Sequence, residues 1–198
     1  MHFMFLGTCA RDYSPLLKTT YKDAFEKNAR RSSCALLNEK YLIDCGYHCM
    51  DELRIAKINP AQITDIFITH FHADHYNVEH IRQIASAAKR TLRVWVRFDA
   101  ETPNIEGVEW KHMQKATQYV VDENVKVTGL LANHNPEFFP QHFLLEVDGK
   151  KIFYALDGAW FLHETYYALK DAKLDLMVLD CTCGDYVGDY RIGEHNSI

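Results

Sequence analysis

The chain has 198 residues, of which 47% are hydrophobic and 25% charged. That composition supports one domain with a packed core and excludes a disordered chain. The formal net charge of −5 excludes bulk electrostatic attraction to nucleic acid and leaves only a local basic patch for that purpose.

The first segment, HFMFLGT, predicts a short apolar strand ending at Gly7. The polar, irregular stretch DYSPLLKTTYKDAFEKNARRSS reads as a long loop or lid. Lys27, Arg30 and Arg31 near its end could meet a phosphate, although a solvated basic segment explains them as well. CALLNEKYLIDCG predicts two strands about a turn at Asn38-Glu39, ending at Gly46. CMDELRIAKI spaces Met50, Leu53 and Ile58 as a helix does, with Pro60 beyond. DIFIT is a continuous apolar run and predicts a buried strand. Asn77 caps the next helix, whose apolar face runs through Val78, Ile81, Ile84, Ala85 and Ala88 to Lys89. LRVWV, VKVTGLLA and HFLLEVDGKKIFYAL predict strands, the last a hairpin turning at Asp148-Gly149. HETYYALKDA reads as a helix and LDLMVLDCT as a strand. The order is β-rich, helix–strand, β-rich, helix–strand, which predicts an α/β (α+β) chain with two sheets face to face and helices outside.

None of the six cysteines, Cys9, Cys34, Cys45, Cys49, Cys181 and Cys183, forms a CxxC pair. MHFMFL lacks the basic start and the length of a secretory signal, and no apolar run is long enough to span a membrane. A cytoplasmic protein with reduced thiols is expected. Most of the cysteines read as core residues. Cys181 and Cys183 are the candidates for a further metal site, because alternation would place both on one strand face.

Eleven histidines in this length direct attention to metals. His70, His72, Asp74 and His75 fall together directly after DIFIT. In an extended segment His70 and His72 share a face and can grip one ion. Asp74 and His75 come where the chain turns and can reach a second. Imidazole and carboxylate suit zinc, and also manganese or iron. Burying these groups without a metal would leave many polar atoms unpaired.

THFHADHY resembles the signature of the metallo-β-lactamase superfamily, and the resemblance extends over nearly the whole chain. FLGTCA resembles the family's opening strand and turn, with Cys9 in place of a glycine. ARRSSCALL and YLIDCG resemble the following segments, with Asp44 at the usual aspartate. NHNPEFFPQHFLLEVDGKKIFYALDGAW resembles the later stretch. The resemblance implies a four-layer αββα sandwich over residues 1–198 as a single domain, with metals at the strand ends. It implies two divalent ions, zinc foremost. His134 would join His70 and His72 on the first, and Asp157 would bridge both. GEHNS resembles the histidine motif of the phosphodiesterase branches, which include the tRNA 3′-processing endonucleases and the phosphoribosyl cyclic phosphate phosphodiesterases. There the histidine protonates the leaving oxygen, so His195, with Asp74, is assigned a catalytic role. The family's last metal histidine would follow one further strand. Either the chain lacks that final strand, helix and ligand, the reading favoured here, or His195 itself binds the second metal.

Two ions close together lower the pKa of a shared water and make a hydroxide nucleophile at neutral pH. A phosphodiester also needs a proton for its departing oxygen, which a histidine supplies. The expectation is a metal-dependent hydrolase, a phosphodiesterase acting on a small cyclic or nucleotide-like diester. tRNA is disfavoured by the negative charge and by the lack of a Gly/Pro-rich basic arm. The N-terminal cysteine cluster of the phosphoribosyl cyclic phosphate enzymes is reduced to Cys9. The alternatives are a lactone, thioester or β-lactam hydrolase of the same fold, a tRNA 3′-end endonuclease, and a non-enzymatic metal-stabilised scaffold. The partner expected is a small phosphodiester, with no membrane; a homodimer stays open. Phe138, Phe139, Trp160 and Phe161 flank the ligands, and core packing is expected for most of them. His163 reads as a surface residue or a neighbour of the ligands.

Overall fold

The computed structural model describes residues 1–10, 30–184 and 193–196. It divides into two compact units, one of residues 2–95 and 101–111, the other of residues 1, 96–100 and 112–198.

The unit of residues 2–95 and 101–111 begins with β1 (Phe3–Gly7), β2 (Cys34–Leu37) and β3 (Tyr41–Ile43), paired antiparallel in that order. Asn38 and Glu39 between β2 and β3 have φ of 48° and 59°. Positive φ at both central positions makes the mirror-image turn whose twist matches paired strands. β4 (Asp65–Phe67) and β5 (Leu92–Arg97) then add in parallel, and β6 (Val108–Met113) closes the order β1-β2-β3-β4-β5-β6. Parallel strands are covered on both faces, which is why Ile66, Phe67 and Val94 are fully buried. Asp65 is buried among them because Arg93 grips both its oxygens, at 2.8 Å each, and Trp95 Nε1 donates at 2.7 Å. Helices α1 (Cys49–Ile55) and α2 (Val78–Ala87) belong to the same unit. Asn77 caps α2 by accepting from the backbone N–H of Glu79 and His80. The helix stops at Ala87, short of the expected Lys89. Cys34, Cys45 and Cys49 are buried free thiols, as core residues should be.

In the other unit, β7 (Gln118–Asp122), β8 (Val125–Leu131), β9 (Gln141–Val147) and β10 (Lys150–Ala155) form an antiparallel meander. The β9–β10 hairpin turns at Asp148 (φ 51°) and Gly149 (φ 76°), as expected. After α3 (His163–Leu169), β11 (Leu176–Leu179) returns parallel to β10, for an order β11-β10-β9-β8-β7. Leu130, Phe153, Ala155 and Leu169 form a core cluster, with Leu144, Phe161 and Leu174 packed against it.

Two sheets and few helices are what the sequence led us to expect. β6 and β7 were not anticipated. They are the edge strands of their sheets, Glu109, Gln118 and Val120 are exposed, and a clean apolar alternation is missing. The expectation for Cys181 and Cys183 is corrected. β11 ends at Leu179, and both lie in a turn where Gly184 N–H donates to the Cys181 carbonyl at 3.0 Å, so no strand face unites them. Most of the expected loop or lid, including Lys27, lies outside the described residues. Among those described, no helix is long and apolar enough to cross a membrane.

Candidate functional site

In the first unit the site is built on the chain after β4. His75 N–H and Tyr76 N–H both donate to the His72 carbonyl, at 2.9 and 2.8 Å, so the segment coils into a turn. Phe71 stacks on Tyr76 with ring centroids 4.1 Å apart. Residues 44–47 lie along this turn: Cys45 N–H donates to the His75 carbonyl and Tyr47 N–H to that of Ala73. The approach is so close that a Cβ on Gly46 would stand 1.7 Å from the Asp74 carbonyl oxygen, which only glycine avoids.

Asp44 organises this half. It is fully buried, with φ of 65°. It accepts from Thr69 N–H at 2.8 Å, from the Thr69 hydroxyl at 2.8 and 2.9 Å, and from His75 Nδ1 at 2.7 Å. Burial pushes the Asp44 carboxyl above its ordinary range, while His75 and Thr69 pull it back part of the way. The consequences for the histidines follow from counting protons. His75 donates its Nδ1–H to Asp44, so Nε2 carries the lone pair, 3.5 Å from Asp74 Oδ2. The Thr69 hydroxyl spends its one proton on Asp44 and accepts from His70 Nδ1 at 3.1 Å. His70 Nε2 is therefore also a lone-pair nitrogen, and it faces His72 Nδ1 at 2.9 Å. Two nitrogens on one tetrahedral zinc stand roughly 3.3 Å apart. A shared proton thus sits where a cation could replace it with little movement, and the donor set fits a divalent metal. A carboxylate behind a ligand histidine is also what orients such ligands.

In the second unit His134, Asp157 and His195 come together. Asp157 follows β10 with φ of 36°, a conformation costing a carboxylate residue about 1 kcal/mol or more. His134 Nδ1 donates to the Glu194 carbonyl at 3.0 Å, which leaves the lone pair on Nε2. The rings of His134 and His195 lie 5.0 Å apart. His195 Nδ1 donates to Asp180 Oδ2 at 2.8 Å and stands 4.0 Å from Asp157 Oδ2. Burial lowers the affinity of His195 for its proton, but the Asp180 hydrogen bond and the charge of Asp157 outweigh this and raise its pKa. Ligand atoms of Asp157, Asp180 and His195 all lie within 4.8 Å of one another, as do those of His134, Glu194 and His195.

The structure thus groups His70, His72, Asp74 and His75 in one unit, and His134, Asp157 and His195 in the other. Two residues escaped the sequence reading. Asp180 follows β11 much as Asp157 follows β10, and that parallel was the available signal. It accepts from His195, from Gly158 N–H at 3.1 Å and from Thr182 N–H at 2.7 Å. His142, on β9, is buried with neither ring nitrogen hydrogen-bonded among the described residues. Burial lowers its pKa to about 4, so it is neutral. A Cβ on Gly158 would come within 2.8 Å of its ring. Nothing in an apolar strand segment marks such a histidine. Of the four flanking aromatics, for most of which core packing was expected, Trp160 is 86% exposed. His163 is at the surface, its ring 4.4 Å from that of Tyr167.

Two sheets, each with histidine and aspartate clusters at strand ends, mark a class of metal-binding α/β proteins. The chain belongs to the beta-lactamase superfamily, whose domain model matches residues 39–188. Among curated proteins, it is 36% identical over 84 residues to a ribonuclease Z from Pyrococcus furiosus. That stretch is 42% of this chain and 25% of the relative's length, so the match spans about a quarter of that protein. Among solved structures, the human short-form tRNase Z superposes over 98% of this chain and 83% of its own, with a TM-score of 0.69 and 19% identity. A diphosphatase of the PhnP family superposes over 99% of this chain and 77% of its own, with a TM-score of 0.71 and 14% identity. This likeness shows the metallo-β-lactamase fold, and that fold implies divalent metal ions.

Proposed function

We propose that the protein is a metal-dependent phosphodiesterase acting on a small cyclic or nucleotide-like phosphodiester. The observation that carries the reading is the pairing of His195 with Asp180 beside Asp157. An Asp-held imidazole is what a reaction with a poor alkoxide leaving group requires, whereas a lactone, thioester or β-lactam asks less of that position. Two of the relatives are ribonucleases by name and the third a diphosphatase, which supports phosphoester chemistry.

The proposed ligands are His70, His72 and His134 for one ion, Asp74 and His75 for the other, and Asp157 for both. Zinc suits this set best, with manganese or iron as substitutes. When bound, the ions supply a nucleophile from water at neutral pH and polarise the phosphoryl oxygen. The chain's own residues do the rest. Asp44 and the Glu194 carbonyl hold His75 and His134 in the tautomers that ligate. Asp180 holds His195 by Nδ1, so Nε2 is the atom that hands a proton to the leaving oxygen. Residues 1–198 are proposed to act as one domain, since the family match at 39–188 runs through both units. Six free cysteines support a reducing compartment such as the cytoplasm.

The test is leaving-group dependence. His195→Ala should lower kcat about 10²–10⁴-fold on an alkyl diester, and far less on bis(p-nitrophenyl) phosphate. An equal loss on both removes the general-acid role. A second reading, His195 as a metal ligand, is favoured by its ring lying within 4.8 Å of the Asp157 and Asp180 oxygens. Elemental analysis separates the two: loss of one metal equivalent in His195→Ala would decide for the ligand.

A further inference from the structure

We propose that Trp160 is a stacking shelf for a nucleobase, so that the diester recognised next to Asp157 carries a nucleoside. The inference rests on the phosphodiesterase reading and names its substrate class.

Trp160 is the most exposed of the large hydrophobic side chains among the described residues, at 86%. An indole normally buries most of its surface, and leaving it in water forgoes that stabilisation. Looseness of the loop does not explain the exposure, because the residues on either side are anchored. Gly158 N–H donates to Asp180 Oδ2 at 3.1 Å, and Ala159, itself 2% exposed, donates to the Asn133 carbonyl at 2.9 Å. Asn133 Nδ2 returns a bond to the Trp160 carbonyl at 3.1 Å. Phe161 turns inward onto Phe153, with ring centroids 5.4 Å apart. Trp160 alone is turned outward from a backbone held on both sides.

Its position relative to the site is equally constrained. It is three positions along the chain from Asp157, so the two Cα atoms are at most about 11 Å apart. Asn133, which pins it, precedes His134. A nucleoside whose phosphate sits at Asp157 and His134 has its base within reach of this indole. The surroundings favour a base over a protein partner. A protein hot spot is an aromatic ringed by other packed side chains that exclude water. Here Phe161 turns inward, and the exposed side chains that follow along the chain, His163 and Glu164, are polar, the latter paired with Lys115 at 3.1 Å. Beyond them α3 shows two more aromatic faces, Tyr166 at 55% and Tyr167 at 52% exposure, with Lys170 Nζ 4.6 Å from the Tyr167 ring centroid. Separate aromatic faces with a cation among them are how single nucleotides in a strand are held.

Two esters with one leaving group test this on the metal-loaded protein: thymidine 5′-(p-nitrophenyl phosphate) and methyl p-nitrophenyl phosphate. Trp160→Ala should raise KM for the thymidine ester about tenfold or more and leave the methyl ester unchanged, with Trp160→Phe retaining most of the preference. AMP should quench the intrinsic fluorescence of the wild type and not that of Trp160→Phe. Equal effects on both esters, or quenching that survives Trp160→Phe, would overturn the shelf. So would self-association abolished by Trp160→Ala with the ester preference intact. If the wild type hydrolyses neither ester, the phosphodiesterase reading fails, and the AMP quench alone then decides the shelf.

Discussion

One carboxylate, Asp44, governs three groups in the first half of the site. Its oxygens accept from Thr69 N–H, the Thr69 hydroxyl and His75 Nδ1, and through Thr69 it also sets the tautomer of His70. Asp44→Asn keeps the shape but offers one acceptor oxygen where two were used. It should weaken zinc binding about 10–100-fold, read by competition with a chromophoric chelator. A second residue-scale expectation concerns Glu52 on α1. It is 2% exposed, and neither oxygen accepts from an N–H or O–H among the described residues. Burial, then the neighbouring Cys49, push its pKa from 4.5 to about 9. The folded state therefore binds this proton more tightly than the unfolded chain. Stability contributed by the protonated form is present below the ordinary carboxylate value and is lost as pH rises toward about 9. The loss between the ordinary value and neutrality is on the order of 3 kcal/mol. Glu52→Gln should flatten urea-denaturation stability across this window and be more stable than the wild type at pH 8. A steeper decline in the variant would refute the assignment. Residues of this kind divide by legibility. Asp44 could be read from its motif, because YLIDCG carries it at a fixed place after a strand. Asp180 could not, because its importance lies in accepting from His195 and Gly158, and both contacts are made by folding. Trp160 could not be singled out among the four flanking aromatics, because only the anchored backbone on either side shows that it is turned outward.

Elements were legible where local chemistry and tertiary demand agreed. Asn77 is a clear case: its side chain accepts from two N–H groups of the first turn of α2. Asn77→Ala should cost about 1 kcal/mol, seen as a lower denaturation midpoint with an unchanged m-value. The two hairpin turns were also readable, since Asn38, Asp148 and Gly149 are residues that tolerate positive φ. β4 showed itself by a continuous apolar run because it is parallel and covered on both faces. β6 and β7 were illegible for the opposite reason. As edge strands they bury little, and WKHM or QYVVD has no pattern that separates it from a polar loop.

For the molecule as a whole, two sheets and few helices followed from the order of strand and helix signals, and the family match agrees with that order. The six proposed ligands are far apart along the chain, from His70 to Asp157, and the unfolded chain does not hold them together, so metal and folding should be linked. Zinc held at a hundredfold excess over its dissociation constant would add about 2.7 kcal/mol and raise Tm by roughly 5–10 °C for a chain of this size. Differential scanning calorimetry with and without EDTA checks this. An unchanged Tm, with metal content verified in both samples, would sever the link.

The parallel pairing of β10 and β11 has a consequence for what the chain can lose. Asp157 and Asp180 lie at one end of the sheet only because both strands run the same way, with Ala155 opposite Leu179. Two neighbouring parallel strands cannot be joined by a tight turn; the return takes a dozen residues or more. The segment from 156 to 175, which carries Trp160 and α3, is therefore the return path that topology requires. Cutting it to hairpin length would leave the last strand room to pair only head to tail. Asp180 would then emerge at the far edge of the sheet, and His195 would lose its anchor without a single change to the residues that touch it.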